Sequence, residues 1–178
     1  MQQKSTRRIF LIGFMGSGKS SLGKKLAGAL QYDFVDTDKM IAAAAGKSVA
    51  DIFAQEGEAF FREKERETLA QLAERENVVV STGGGMACFY DNIALMNRLG
   101  VTIYLEAEPK LLARRLEKRK DERPLLRSTA QEDLDKFIAE ILQKRESFYR
   151  QADLTLPARN LTAQAVLSAL KTEFSFDT

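Results

Sequence analysis

The sequence predicts an α/β fold in three layers, in which a parallel β-sheet lies between two layers of helices. Short apolar runs alternate with longer segments of helical periodicity, and the first run leads through a glycine-rich turn into an amphipathic helix. The candidate strands are five apolar runs, at 9–12, 32–35, 77–81, 101–105 and 154–156. A chain of 178 residues can bury one sizeable core, so we expect a single domain over 1–178.

The glycine-rich turn carries the most specific motif of the chain. The segment 13–20, GFMGSGKS, matches the phosphate-binding pattern G-x-x-x-x-G-K-[ST] at every position, and this complete match argues against a turn that binds nothing. Glycines let successive N–H groups face one concavity, and the helix N-terminus adds more. Lys19 can then reach the β- and γ-phosphates of a nucleotide, and the Ser20 hydroxyl can ligate Mg²⁺. The predicted nucleotide-binding residues are Gly16, Ser17, Gly18, Lys19, Ser20 and Ser21.

Composition excludes several classes of protein. The balance of 27 basic and 25 acidic residues is too even for a nucleic-acid-binding protein, and a chain without histidine has neither imidazole catalysis nor a His-ligated metal. The single cysteine, Cys88, excludes an internal disulfide and fits a reducing compartment. No apolar run is long enough to span a membrane, and the polar N-terminus lacks a signal-peptide core. We therefore expect a cytoplasmic protein that binds neither nucleic acid nor membrane.

Two carboxylates, Asp36 and Asp38, follow the second candidate strand. Ligands of open parallel sheets bind beyond the carboxyl ends of the strands, so both residues are expected near the γ-phosphate and its acceptor. Alternation places both side chains on one side if the backbone stays extended. We predict that Asp36 holds Mg²⁺ through water and that Asp38 orients or deprotonates an acceptor hydroxyl. The structural alternative, open to either residue, is a helix N-cap.

A long helix is predicted from near Gly57 to Arg75, with Phe61 in its buried stripe. Arg62 lies at the edge of that stripe. The pattern alone predicts a solvated Arg62, with support from Glu58 four residues earlier. By itself the periodicity assigns no function to this arginine.

The third candidate strand runs into three consecutive glycines, Gly83, Gly84 and Gly85. Such a run is costly in chain entropy, and a plain turn needs only one or two glycines. We therefore expect a ligand close to this backbone. Cys88, just beyond, is predicted to be a small buried hydrophobe without a low-pKa environment.

Residues 117–127, EKRKDERPLLR, are dense in charge and lack an apolar period. One interpretation is a solvated loop, and the other is a lid, about 117–128, that closes over a nucleotide with basic residues. We favour the lid, because one arginine at the transferred phosphate can contribute ~10³–10⁵ in rate. Arg123, beside a proline, is the first candidate for that role. Arg115 and Arg119 are candidates for a contact with adenine.

The helix predicted at 132–150 carries Arg145 seven residues after Ile138, on its apolar face. An unpaired charge on a buried face is costly, so Arg145 needs an anionic partner. That partner is either an internal carboxylate or a bound anion.

Several separate segments together resemble the shikimate kinases of the aromatic amino acid pathway, over nearly the full chain. These segments are IFLIGFMGSGKSSLGKKLA, FVDTD, FFREKE, STGGG, ERPLL and KRESFYRQAD. The P-loop alone is shared with many kinases, whereas the combination in this order is much more specific. The resemblance implies a P-loop NTPase fold with a five-stranded parallel sheet in the order 2-3-1-4-5 and a mobile lid.

The resemblance also implies transfer of the γ-phosphate of ATP to the 3-hydroxyl of shikimate. Lys19 would bind the transferring phosphate and Arg123 would move in with the lid. Ser20 and Asp36 would hold Mg²⁺. Asp38 would contact the acceptor hydroxyl.

The same resemblance assigns the acceptor site to a shikimate-binding segment of about 36–62, with further contacts from later parts of the chain. Arg62 and Arg145 would hold the shikimate carboxylate, with the backbone of Gly83, Gly84 and Gly85 alongside. A carboxylate bound by two guanidinium groups would supply the anion that Arg145 requires.

The sequence departs from the family pattern in two places, and two rival functions remain open. Ser147-Phe148-Tyr149 stands where family members often have Pro-Leu-Tyr, and the spacing from Arg115 to Arg123 leaves the adenine contact open.

Another P-loop kinase of a small acid, such as gluconate, is the nearest rival. A non-catalytic ATP-binding switch is the second rival. The presence of all four candidate residues argues against it, namely Asp38, Arg62, Arg123 and Arg145. We expect a monomer.

Overall fold

The structure, a computed structural model, describes residues 7–117 and 131–174, the second range with side chains from Leu134 onward. Five parallel strands form one sheet in the order β2-β3-β1-β4-β5. The strands are β1 (Arg8–Ile12), β2 (Asp33–Asp36), β3 (Val78–Ser81), β4 (Val101–Glu106) and β5 (Leu154–Pro157). The predicted fold class and strand order are confirmed.

Eight α-helices connect and cover the strands within the described residues. They are α1 (Lys19–Leu30), α2 (Thr37–Ala45), α3 (Val49–Gln55), α4 (Gly57–Leu72), α5 (Asn92–Leu99), α6 (Pro109–Glu117), α7 (Gln131–Tyr149) and α8 (Ala163–Phe174). A short 3₁₀ turn, Met86–Cys88, precedes α5. No helix in the described part of the chain is both long and apolar enough to cross a membrane.

The central strands owe their position to uninterrupted apolar sequence. Residues 9–12 of β1 and 78–80 of β3 are completely buried, because the neighbouring strands and the covering helices remove both faces from water. Each step in this region follows the β-α-β rule that parallel neighbours need a crossover. The carboxyl ends of β1, β2 and β3 therefore lie side by side at one edge of the sheet.

A second, smaller apolar cluster joins three helices beside the sheet. Ile41 of α2, Ile52 of α3 and Phe61 of α4 are buried together. Ser48 caps α3 by accepting a hydrogen bond from the backbone N–H of Asp51, at 3.1 Å. These helices hold the chain between the second and third strands as a compact unit.

The structure corrects one expectation about the end of β2. The backbone does not stay extended after Asp36, because α2 begins at Thr37. Asp36 is the N-cap and accepts a hydrogen bond from the backbone N–H of Lys39, at 3.4 Å, while Asp38 lies in the first helical turn. The two carboxylates therefore have different neighbours: Asp36 accepts a hydrogen bond from Ser20, and Asp38 lies against Gly83.

The lid predicted at about 117–128 lies outside the described residues, apart from its first residue at the end of α6. Arg119 and Arg123 also lie outside them.

Candidate active site

The predicted phosphate loop lies between β1 and α1, as its motif requires. Its glycines at 13, 16 and 18 have φ values of +134°, +82° and +104°, which side chains with a Cβ rarely adopt. Gly16 also lies against the Leu116 side chain, only 3.1 Å from the place a Cβ would occupy. The loop thus curls over the N-terminus of α1, where helical N–H groups face outward.

Lys19 lies folded into the loop rather than in solvent. Its side chain is buried, and Nζ donates hydrogen bonds to the carbonyl oxygens of Gly13 and Phe14, at 2.7 and 2.9 Å. These carbonyls hold the ammonium group at the mouth of the concavity. A bound phosphate would offer it a stronger, charged acceptor at the same place.

Ser20, Asp36 and Ser81 bring three oxygen atoms together beside the loop. The Ser20 hydroxyl donates to Oδ2 of Asp36 at 2.8 Å and lies 3.1 Å from the Ser81 hydroxyl. Mg²⁺ prefers oxygen ligands, keeps several waters and commonly takes one or two carboxylates plus substrate phosphates. The single carboxylate and hydroxyls fit such an ion, although the described residues contain no cluster of three or more acidic, Cys or His groups.

Two adjacent cavities open at this edge of the sheet. The first, about 650 Å³, contains the phosphate loop and continues past Arg115 toward the N-terminus of α8. The second, about 440 Å³, lies between the α2–α4 unit and the glycine turn after β3. Met15, Asp38 and Gly84 line both cavities. Asp38 therefore stands at the boundary between the cavity that contains the phosphate loop and the second cavity.

Arg115 closes one side of the first cavity. Its Nη1 donates to the carbonyl oxygens of Gly16 and Ser17, both at 3.1 Å. The guanidinium thus braces the back of the phosphate loop and lies in the wall of the nucleotide space, where the sequence suggested an adenine contact. That contact stays a prediction.

Arg62 is not solvated, contrary to what its helical position suggested. The residue is 6% exposed, and the guanidinium lies 4.1 Å from the centroid of the Phe89 ring. It donates to Oε2 of Glu65 at 2.8 Å and to Oε1 of Glu58 at 2.7 Å. Burial favours the neutral form, but these two carboxylates outweigh it and raise the pKa of Arg62. The side chain is a fixed cation in the wall of the second cavity.

Glu65 is the acid that the sequence analysis missed. Its side chain is completely buried, and among the described residues its Oε1 atom has no hydrogen-bond partner. Burial raises the pKa of Glu65 to about 7; Arg62 and Arg145 oppose the shift and Asp38 adds to it. The available signal was the spacing of three residues from Arg62 to Glu65, which places both on one helix face.

The raised pKa of Glu65 predicts a pH dependence of stability. A carboxyl that titrates at 4.5 when unfolded and at about 7 when folded holds its proton more tightly in the folded state, so folding stability falls as pH rises from 4.5 to about 7. Glutamine in a Glu65→Gln variant has nearly the shape of a protonated glutamate and does not titrate, so the variant lacks this loss of folding stability. We expect its melting temperature to rise relative to the wild type between about pH 5 and pH 8, as measured by thermal unfolding.

A matched control for this experiment is Glu58→Gln, which removes the exposed acid on the same guanidinium. The Glu58 variant should show no such pH-dependent gain. Parallel melting curves for wild type and Glu65→Gln across the whole range would contradict the assignment.

Two of the three consecutive glycines, Gly83 and Gly85, lie so close to other side chains that a Cβ would collide with them. A Cβ at Gly83 would be 2.5 Å from Oδ1 of Asp38 and 2.8 Å from Oε1 of Glu65. A Cβ at Gly85 would be 2.6 Å from Nη1 of Arg62. The protein's own Asp38, Glu65 and Arg62 side chains thus pack directly on the glycine backbone, and the ligand expected from the sequence stays a prediction.

Replacing Gly85 with alanine tests this packing. The φ of Gly85 is −99°, a value alanine adopts readily, so the collision with the Arg62 guanidinium is the main cost. We expect the displaced guanidinium to raise KM for an acidic acceptor about tenfold, the equivalent of one lost charge-assisted hydrogen bond. Steady-state rates against acceptor concentration measure it.

Gly28→Ala is the matched control, because nothing lies within 4 Å of a Cβ at that helical glycine. It should leave KM unchanged. An unchanged KM in Gly85→Ala would show that Arg62 does not need its observed position.

Arg145 enters the second cavity from the opposite side to Arg62. It is half-buried, and its Nη1 donates to the carbonyl oxygen of Gly84 at 3.2 Å. No ion pair of Arg145 with a carboxylate occurs within 4.0 Å among the described side chains. The two partners that the sequence left open, an internal carboxylate and a bound anion, both stay predictions at this point.

Cys88 is half-buried behind the glycine turn, less enclosed than the sequence suggested. Burial raises the pKa of its thiol to about 11, so the absence of a low-pKa environment is as expected.

The fold and these two cavities define a class of protein, the small P-loop phosphotransferases. Here the phosphate loop lines one cavity, and Asp38 lines both. A family model for shikimate kinase matches residues 15–174, and the chain belongs to the shikimate kinase family. This membership confirms the resemblance found in the sequence and the enzyme class, an ATP-dependent kinase.

Individual relatives agree with the family assignment. A shikimate kinase from Parabacteroides distasonis is 45% identical over 159 residues, which cover 89% of this chain and 92% of that protein. The crystal structure of a shikimate kinase from Bacteroides thetaiotaomicron matches with a TM-score of 0.87 at 43% identity, covering 95% of this chain and 98% of that one. A shikimate kinase from Acinetobacter baumannii in complex with shikimate matches with a TM-score of 0.86 at 32% identity, covering 95% of each chain.

Proposed function

We propose that this chain transfers the γ-phosphate of ATP to the 3-hydroxyl of shikimate, giving shikimate 3-phosphate and ADP in aromatic amino acid biosynthesis. The observation that carries the proposal is the second cavity, where Arg62 and Arg145 converge beside the phosphate loop with Asp38 on the side facing it. Shikimate offers one carboxylate for the arginines and hydroxyls for the carboxylate. Membership of the shikimate kinase family supports the choice of acceptor.

The phosphate loop forms the donor side of the proposed reaction. Backbone N–H groups of 16–21 bind the phosphates, and Lys19 exchanges its loop carbonyls for β- and γ-phosphate oxygens. Ser20, with its hydroxyl, and Asp36, through water, would hold Mg²⁺; their side-chain oxygens already lie 2.8 Å apart. When bound, this ion neutralises charge on the phosphate oxygens of ATP.

The second cavity forms the acceptor side. Arg62 and Arg145 bind the acceptor carboxylate, the backbone of Gly83, Gly84 and Gly85 lies along the ring, and Asp38 accepts a hydrogen bond from the 3-hydroxyl. In the transfer step this oxygen bonds to the γ-phosphorus, the bond from phosphorus to the ADP oxygen breaks, and Asp38 takes the hydroxyl proton. The protein contributes position and charge rather than a covalent intermediate.

The remaining parts of the proposal concern the whole protein. We propose one kinase domain over 1–178, with the acceptor segment at about 36–62 and a lid at about 117–128. Arg123 on that lid reaches the transferred phosphate, and lid closure keeps water from hydrolysing ATP. A monomer in the cytoplasm, with shikimate and ATP as its binding partners and no nucleic acid or membrane, completes the proposal. The single cysteine and the balanced charge support it.

ADP release from Mg·ATP tests the proposed function. The acceptors are shikimate, quinate, gluconate and none, each assayed with the full chain. We expect strong stimulation by shikimate and little by the others. Stimulation by gluconate in its place would contradict the substrate, and tight ATP binding without stimulation by any acceptor would contradict catalysis.

A further inference from the structure

The carbonyl oxygen of Gly84 accepts two hydrogen bonds from the same helix. One comes from Nη1 of Arg145, at 3.2 Å, and the other from the hydroxyl of Tyr149 in a short contact. The two donors are four residues apart on α7 and therefore share one face of it. Arg145 lines the second cavity, whereas Tyr149 lines neither cavity.

The hydroxyl of Tyr149 is a hydrogen-bond donor that the surrounding packing holds in place. The residue is completely buried, and its ring stacks on Tyr104 with centroids 5.0 Å apart and an interplanar angle of 28°. Burial also raises the pKa of the Tyr149 hydroxyl, which keeps its proton at any pH at which the enzyme works. A stacked, buried phenol has few alternative rotamers, so its hydroxyl stays in one place beside the Gly84 carbonyl.

The location of Gly84 makes the orientation of its carbonyl group important for both cavities. Gly84 lines both cavities, and a Cβ there would lie 3.2 Å from the backbone nitrogen of Met15 in the phosphate loop. Because the peptide group is planar and trans, a carbonyl held toward α7 directs the N–H of Gly85 the opposite way, away from α7. Fixing one oxygen thus fixes the orientation of the peptide between the second and third glycines.

The Tyr149 hydrogen bond also affects which hydrogen bonds Arg145 can make with a ligand. The part-buried carbonyl oxygen has two lone pairs, and the two donors, Tyr149 and Arg145, take one each. With Tyr149 in place, Gly84 is satisfied and the other N–H groups of Arg145 can turn to a ligand carboxylate. Without it, Arg145 becomes the main partner of the carbonyl.

We propose that Tyr149 is a positioning residue for the acceptor site: its hydroxyl holds the Gly84 carbonyl, and thereby orients the glycine turn and Arg145 toward the acceptor carboxylate. The proposal rests on the function proposed above. It assigns Tyr149 no contact with either substrate.

The test is Tyr149→Phe, which removes one oxygen atom and keeps the stacked ring. We expect KM for shikimate to rise about tenfold, the equivalent of one hydrogen bond, while KM for ATP changes less than about twofold and kcat less than about threefold. Tyr104→Phe is the matched control, since it removes the hydroxyl of the ring stacked on Tyr149 and lines neither cavity. It should leave both KM values unchanged.

A purely structural role for Tyr149 predicts a different result. The melting temperature would then fall with no change in KM for shikimate, and that outcome overturns the proposal, as does an equal rise of both KM values. A double-mutant cycle with Arg145→Lys adds a second readout, because a shared acceptor predicts that the two KM effects do not multiply. Independent effects that multiply fully would also overturn it.

The wild-type assay separates this proposal from the proposed function. Absence of shikimate turnover in the wild type contradicts the function, and the ratio between variant and wild type is then measured with whichever acid stimulates ADP release. Turnover in the wild type with an unchanged KM in Tyr149→Phe contradicts only the role of Tyr149.

Discussion

Replacing Asp38 with asparagine is expected to lower kcat for shikimate phosphorylation by about 10²–10⁴, the range for loss of a positioned proton acceptor. Asp38 lines both cavities and packs against Gly83, so it stands where donor and acceptor meet. Asparagine keeps the shape and can still accept a hydrogen bond, but it cannot take the hydroxyl proton. Steady-state kcat with saturating ATP and shikimate measures the loss.

The matched control is Asp33→Asn, an exposed carboxylate at the start of β2. It should keep wild-type kcat. KM for ATP should change little in Asp38→Asn, because the phosphate loop and Lys19 remain intact. Full turnover by the Asp38 variant would remove its assigned role and leave hydroxyl orientation to the glycine turn.

Replacing Arg62 with lysine is expected to raise KM for shikimate about 100-fold. A lysine ammonium keeps a positive charge beside Glu65, but it loses the planar fork that can bind a carboxylate through two parallel hydrogen bonds. Charge-assisted hydrogen bonds of this kind contribute about 1.5–3 kcal/mol each, which corresponds to a factor of roughly 10–150. Removing the charge altogether would also break the ion pairs with Glu58 and Glu65, so an effect on folding could not be separated from an effect on binding.

The control for Arg62 lies one helical turn further along α4. Arg66 is exposed and rests over the Tyr90 ring, with 5.2 Å from its guanidinium carbon to the centroid. Arg66→Lys should leave KM for shikimate at the wild-type value. A wild-type KM in Arg62→Lys would show that the acceptor carboxylate binds elsewhere.

Much of the fold and the donor site could be predicted because their signals are local. The phosphate loop needs its own glycines, its own lysine and the strand and helix on either side, all within about two dozen consecutive residues. The buried strands are recognisable because both of their faces are covered, which leaves an uninterrupted apolar run. Strand order came from the family resemblance, since no local pattern states which strands are neighbours.

Contacts between distant segments could not be read from periodicity. Arg62 has the helical position of a solvated residue, yet Phe89 from beyond β3 lies over its guanidinium and removes it from water. Glu65, three residues on, is itself completely buried, and this burial raises its pKa against the opposing charge of Arg62. Each of these properties depends on a neighbour that the local pattern does not contain.

The sequence by itself determined the α/β class, the phosphate loop, the family, and the presence of an acid and two arginines suited to a carboxylate acceptor. Only the tertiary structure decided how they face one another: Asp36 caps a helix while Asp38 lies at the boundary of two cavities, and Tyr149 reaches Gly84 across 65 residues. The physical reason is range. Propensity, capping and periodicity act over a few residues, whereas burial, desolvation and shared acceptors depend on packing between segments far apart in the chain.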